Sequence, residues 1–114
     1  MNERRKHERK RSELFPEVYD RNTNQLIGRL HEYSAGGIMV TGTERIPEST
    51  VFQFKMNLPQ PDGKDRLVNF DAKSIWSERH INPDFFNTGF QFVNIARTDV
   101  EAIADLENIP CFKG

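Results

Sequence analysis

The sequence predicts a mainly β protein: a small six-stranded antiparallel β-barrel with a C-terminal α-helix and a flexible basic N-terminal arm. Three observations predict it. Short apolar runs alternate with polar residues at a period of two, with turn signals between them. One stretch near the C-terminus switches to helical spacing. The first 13 residues are dense in Arg and Lys and offer nothing to a core.

The arm comes first. Residues 1–13 hold six basic side chains (Arg4, Arg5, Lys6, Arg9, Lys10, Arg11) against three acidic ones, a net charge of +3. The other 101 residues hold 10 basic and 14 acidic side chains, a net charge of −4. A domain boundary is therefore expected at 13, with an arm over 1–13 and a barrel with its helix over 14–114. A basic arm on an acidic body attracts an anionic ligand or folds back onto the body. The body is too acidic for a general nucleic-acid surface, so RNA and DNA are not expected partners.

The strands follow in order. "LFPEVYDR" leads into the Asn-rich turn "NTNQ", and "LIGRLHEYS" runs into "AGG" before "IMVTGT". Over 51–58, Phe52, Phe54, Met56 and Leu58 share one face and Gln53, Lys55 and Asn57 the other, as in a half-buried strand. "PQPDGK" is a hairpin turn in which Asp-Gly supplies the backbone angles. Val68, Phe70, Ala72, Ser74 and Trp76 again share one face, which makes Trp76 a core position. "NPD" is a turn, and "TGFQFVNI" is the last strand. In "TDVEAIADLEN", Thr98 and Glu101 form a capping box, and Val100, Ile103, Ala104 and Leu106 recur at helical spacing.

Composition excludes several classes. A chain of 114 residues, 36% hydrophobic, makes one core and one domain. The lone Cys111 permits no intrachain disulfide and fits a reducing cytoplasm. No apolar run approaches the roughly 20 residues that span a bilayer, and no apolar segment follows the basic N-terminus as in a signal peptide. A cytoplasmic protein without membrane insertion is the reading. His7, His31 and His80 stand apart, without a second ligand at metal spacing. Ser34 lacks the G-x-S-x-G frame, because Glu32 stands where the first glycine belongs. No Walker-type loop is present. Nothing marks an enzyme, a metal site or a cofactor.

Two features remain: the arginines at 4, 5 and 9, and the Glu32-Tyr33-Ser34-Ala35-Gly36-Gly37 turn. Adjacent glycines allow positive φ, and N–H groups in such a turn can form an anion-binding concavity. By itself the turn also reads as a plain strand connection, and the arm as a solvated charge run.

Together the two features resemble the PilZ domain family, which carries R-x-x-x-R before its first strand and [DN]-x-S-x-x-G between its second and third. Here the first is Arg5-Lys6-His7-Glu8-Arg9, and the second is matched by residues 32–37. "IPESTVFQFKMNLP", "AKSIW" and "GFQFVNIARTDVEAI" are similar to the later strands and final helix, so the resemblance covers nearly the whole chain. It implies a non-catalytic receptor for cyclic di-GMP, bound by Arg5, Arg9, Glu32, Ser34, Gly36 and Gly37. It further implies an arm that orders on binding and a separate effector protein. Arg4 precedes the arginine pair, where an extra arginine accompanies a stacked ligand dimer, so one or two ligands per protomer are expected. Trp76 becomes a candidate to stack on a guanine, and Arg29 and His31 lie near the turn. Lys10 and Arg11 read as accessory charge. Glu32 departs from the Asp/Asn pattern, and this leaves a second reading: a PilZ-like interaction module that does not bind the nucleotide.

Overall fold

The computed structural model describes residues 10–11 and 16–108. Arg4, Arg5, His7, Arg9 and Cys111, and the expected boundary at 13, lie outside the described residues. Within the stretch expected to be a flexible arm, Lys10–Arg11 form a short strand β1. The other strands are β2 (Glu17–Asp20), β3 (Leu26–Tyr33), β4 (Gly37–Gly42), β5 (Val51–Pro59), β6 (Asp65–Arg79) and β7 (Phe86–Asn94). Helix α1 (Arg97–Ala104) follows, continued by a 3-10 turn over Asp105–Asn108.

Every strand pairing is antiparallel, and the order is β1-β3-β2-β5-β6-β7-β4, with β4 returning to pair with β3. That last pairing closes strands β2 to β7 into a six-stranded barrel, which removes the free edges of an open sheet. The β5–β6 turn uses the chemistry expected of it. Gly63 takes a φ of 87° in the β5–β6 hairpin, as its Asp-Gly dipeptide requires.

Side chains fill the interior. Val18, Leu30, Phe54, Met56, Leu58, Val68 and Ala72 are wholly buried. The Phe54 ring lies 4.9 Å from that of Phe90, 5.8 Å from that of Phe70 and 5.4 Å from that of Phe52. Its contacts with Phe90 and Phe70 are edge-on, the arrangement that ring quadrupoles favour. Ala102 and Ile103 of α1, with Leu106, join this core.

Two expectations need correction. Thr98 does not cap the helix: the cap is Ala96 in extended conformation, with no side-chain bond. Arg66 on β6 takes the group instead, donating to Thr98 Oγ1 at 3.2 Å while pairing with Asp99 at 2.7 Å. Trp76 is not in the core. An extra residue, Ile75, interrupts the β6–β7 register between Ser74 and Trp76. Such a bulge inverts the alternation of faces. Ser74 and Ser77 are both buried, and the half-buried Trp76 turns to the outer surface. Ser77 fills the interior place instead, its hydroxyl 2.9 Å from that of Thr88.

The aromatic cluster predicts that Phe54→Ala costs about 3–5 kcal/mol of stability. Urea denaturation measures this, and a loss below about 1 kcal/mol would contradict the packing described.

Candidate functional site

The connection between β3 and β4 is held from within. The Ser34 N–H donates to the Gly37 carbonyl at 2.9 Å, and Ser34 Oγ accepts the Gly36 N–H at 3.2 Å. The Phe92 N–H donates to the Gly36 carbonyl at 3.0 Å and ties the turn to β7. Neither Gly36 nor Gly37 takes a positive φ, contrary to the expectation from adjacent glycines. Gly37 is required for another reason: a Cβ there would collide with the Phe90 carbonyl oxygen across the β4–β7 pair. The expected anion-binding concavity also changes, because the Ser34 and Gly36 N–H groups are engaged inside the turn.

A second bulge lies in β3. The register with β4 shifts between Leu30 and Glu32, leaving His31 as the extra residue. Leu30 and Tyr33 both point into the core, at 0% and 3% exposure. Glu32 therefore faces outward. Without the bulge it would share the parity of Leu30, and its carboxylate would be buried in the core, which is strongly unfavourable.

The two bulges feed one row across the outer surface. Glu32 pairs with Met39, Met39 with Gly89, and Gly89 with Trp76, crossing β3, β4, β7 and β6. On its other side Glu32 pairs with Arg11 of β1, and Lys10 pairs with Tyr33. At about 4.8 Å per strand, the three steps from Glu32 to Trp76 span roughly 14 Å. Met39 is only 7% exposed yet stands outside the core cluster, as a buried residue of the outer face. Thus Glu32, Ser34, Gly36, Gly37 and Trp76 share one region of the barrel wall, with the β1 backbone beside it.

Sequence reasoning missed Met39 and Gly89. Gly89 carried a signal: a glycine between strand residues often marks a close approach by another group. Met39 carried none, since a buried methionine reads as core.

Neighbouring polar groups on this wall are already engaged. Arg29 pairs with Glu17 at 2.9 Å, and the Tyr19 hydroxyl donates to the same carboxylate at 2.7 Å. That hydrogen bond holds the Tyr19 phenol above its ordinary pKa. Thr41 Oγ1 donates to Asn87 at 2.8 Å. From His31 a groove of about 410 Å³ runs toward the β6–β7 turn, lined by Leu26, Ile27, His80 and Phe85. Among the described residues, no cluster of His, Cys, Asp or Glu is arranged to hold a metal ion, and no helix is long and apolar enough to cross a membrane.

A barrel closed in this order, with one C-terminal helix and a motif turn on the wall, defines a class of small β-barrel domains. The family model for the PilZ domain matches residues 3–107, and the chain belongs to that family. Two solved structures share the fold. The Bacillus subtilis inhibitor of motility (MotI/DgrA) superposes with a TM-score of 0.74 at 17% identity, over 96% of this chain and 50% of that one. The chain thus spans about half the length of MotI/DgrA. The PilZ domain of YcgR from Escherichia coli, solved with c-di-GMP, superposes with a TM-score of 0.65 at 20% identity, over 97% of this chain and 92% of that one. No curated protein matches the sequence.

The tight approach of β4 and β7 predicts that Gly37→Ala destabilises the fold by about 1–3 kcal/mol, from overpacking. Thermal denaturation should show a fall in Tm of roughly 4 °C or more. An unchanged Tm would show that the strands part without cost.

Proposed function

We propose that this protein is a non-catalytic receptor for cyclic di-GMP that binds on the outer barrel wall and signals to a separate effector protein. One observation carries the reading. Two bulges turn Glu32 and Trp76 outward onto the same cross-strand row, beside the Ser34 turn. The YcgR PilZ domain, solved with c-di-GMP, supports the choice of ligand through the shared family.

The chemistry suits the ligand, which has two guanines and two phosphates. Arg5 and Arg9 offer planar, bidentate donors to guanine O6 and N7 or to phosphate oxygens, which lysine cannot reproduce. Lys10, the residue after Arg9, pairs with Tyr33, so β1 begins next to the motif turn. Glu32 accepts from guanine N1–H and N2–H, and Ser34 donates its hydroxyl. Gly36 and Gly37 keep the turn low against β7. Trp76 stacks on a base, and Arg4 serves a second ligand where two bind. Binding closes the arm over the nucleotide and alters the surface that the effector reads. The ligand shifts that equilibrium only by its preference for the closed arm.

A PilZ-like interaction module without nucleotide binding is the second reading, and it rests on Glu32. Against an Asp or Asn, Glu adds a methylene and a rotor to freeze, at roughly 0.5 kcal/mol or more.

Calorimetric titration with cyclic di-GMP, with GTP as the control, tests the first reading: micromolar or tighter affinity for cyclic di-GMP alone is expected. A folded protein that takes up none would favour the second. Arg5→Ala and Arg9→Ala should each weaken binding at least about tenfold, since a bidentate guanine contact is worth about 1–3 kcal/mol. Wild-type affinity in both would remove the arm from the site. In Glu32→Asp, tighter binding would mark the longer side chain as a handicap, and equal binding would mean that the bulged strand has adapted to it.

A further inference from the structure

The glycines in the strands have different neighbours. A Cβ at Gly28, Gly37 or Gly42 would strike a backbone carbonyl: those of Thr41, Phe90 and Ile27 respectively. These three glycines are needed for strands to approach one another. At Gly89 all three nearest atoms belong to one side chain, the indole of Trp76. A Cβ would collide with Nε1 and would lie 2.5 Å from Cε2 and 2.8 Å from Cζ2. Gly89 does not use the conformational freedom of glycine either, since its φ is not positive. The missing side chain at 89 makes room for the indole.

We infer that Gly89 is a positioning residue for the ligand: it seats the Trp76 indole against the outer wall, so that the ring's open side becomes the stacking surface for a guanine. The inference deepens the proposed function and rests on it. Two separate features of the chain meet here. The Ile75 bulge turns Trp76 out of the core, and Gly89 on the neighbouring strand lets the ring lie down over β7. An indole that is turned outward without such a seat would stand away from the wall and swing among rotamers. With the seat, the ring is held at the far end of the row that begins at Glu32, and Met39 lies between them as an apolar floor. Ring stacking of a base on an aromatic side chain is worth most when the ring is held in place before the ligand arrives, because no rotamer freedom is lost on binding.

Trp76 is the chain's sole tryptophan, so fluorescence excited selectively at tryptophan reports on this ring alone. The full chain is titrated with cyclic di-GMP by calorimetry and by fluorescence, as wild type, Gly89→Ala, Trp76→Ala and the double variant. Wild type should bind with a change in Trp76 emission. Trp76→Ala should weaken binding about fivefold or more, the low end of what base stacking supplies. Gly89→Ala should shift the emission of the free protein to the red, as the ring lifts into water, and weaken binding in the same direction. Adding Gly89→Ala to Trp76→Ala should change affinity no further, because the glycine acts through the indole. If Gly89→Ala lowers stability, Trp76→Ala should restore it, since the indole is what the new methyl meets. Wild-type emission and affinity in Gly89→Ala would overturn the inference. So would an equal loss of affinity with and without Trp76, or instability that persists in the double variant. Absence of binding by wild type would overturn the proposed function, and this inference with it. Binding by wild type with no role for Gly89 would sink the inference alone.

Discussion

Closure of the sheet by the β3–β4 pairing is the constraint on which everything else depends. A six-stranded barrel has an interior just wide enough for its own side chains. Phe54, Phe70, Phe90 and the aliphatic residues around them occupy it. A nucleotide has no place inside, so any binding group must stand on the wall or the rim. Yet a strand that alternates strictly can present outward only every second residue. Closure thus fixes which residues face solvent, unless something interrupts the alternation.

Bulges provide that interruption. His31 and Ile75 are each the extra residue in a strand, and the residue after each one is turned outward. One carries a carboxylate and the other an indole, and pairing through Met39 and Gly89 puts them on a single row. The acidic and aromatic ends of the proposed site thus come from positions whose sequence parity is that of the core.

This explains what was legible in the sequence and what was not. The strands were legible because alternation in 51–58 and 68–74, and the turns "PDG" and "NPD", are local signals. The helix was legible from spacing, but its start was not: it begins at Arg97 behind Ala96, so Thr98 already lies in its first turn, where its hydroxyl accepts from Arg66. Trp76 read as core because a bulge leaves no mark in the alternation that precedes it; only the small buried pair Ser77 and Thr88 shows what replaced it. The motif turn was legible by resemblance, while the reason for Gly37 was not, since Phe90 comes to it from another strand. Arginines 4, 5 and 9 were legible as a spacing, and their part in the proposed site comes from the motif and from the place where β1 begins.

The proposed seat of cyclic di-GMP is the outer row from Glu32 to Trp76, and two-dimensional amide and indole NMR during titration tests it directly. The Trp76 indole N–H and the backbone amides of Ser34, Gly37, Met39 and Gly89 should shift together, with the amides lining the groove at His80 and Phe85 left in place. Shifts confined to that groove, or none on the row, would contradict it.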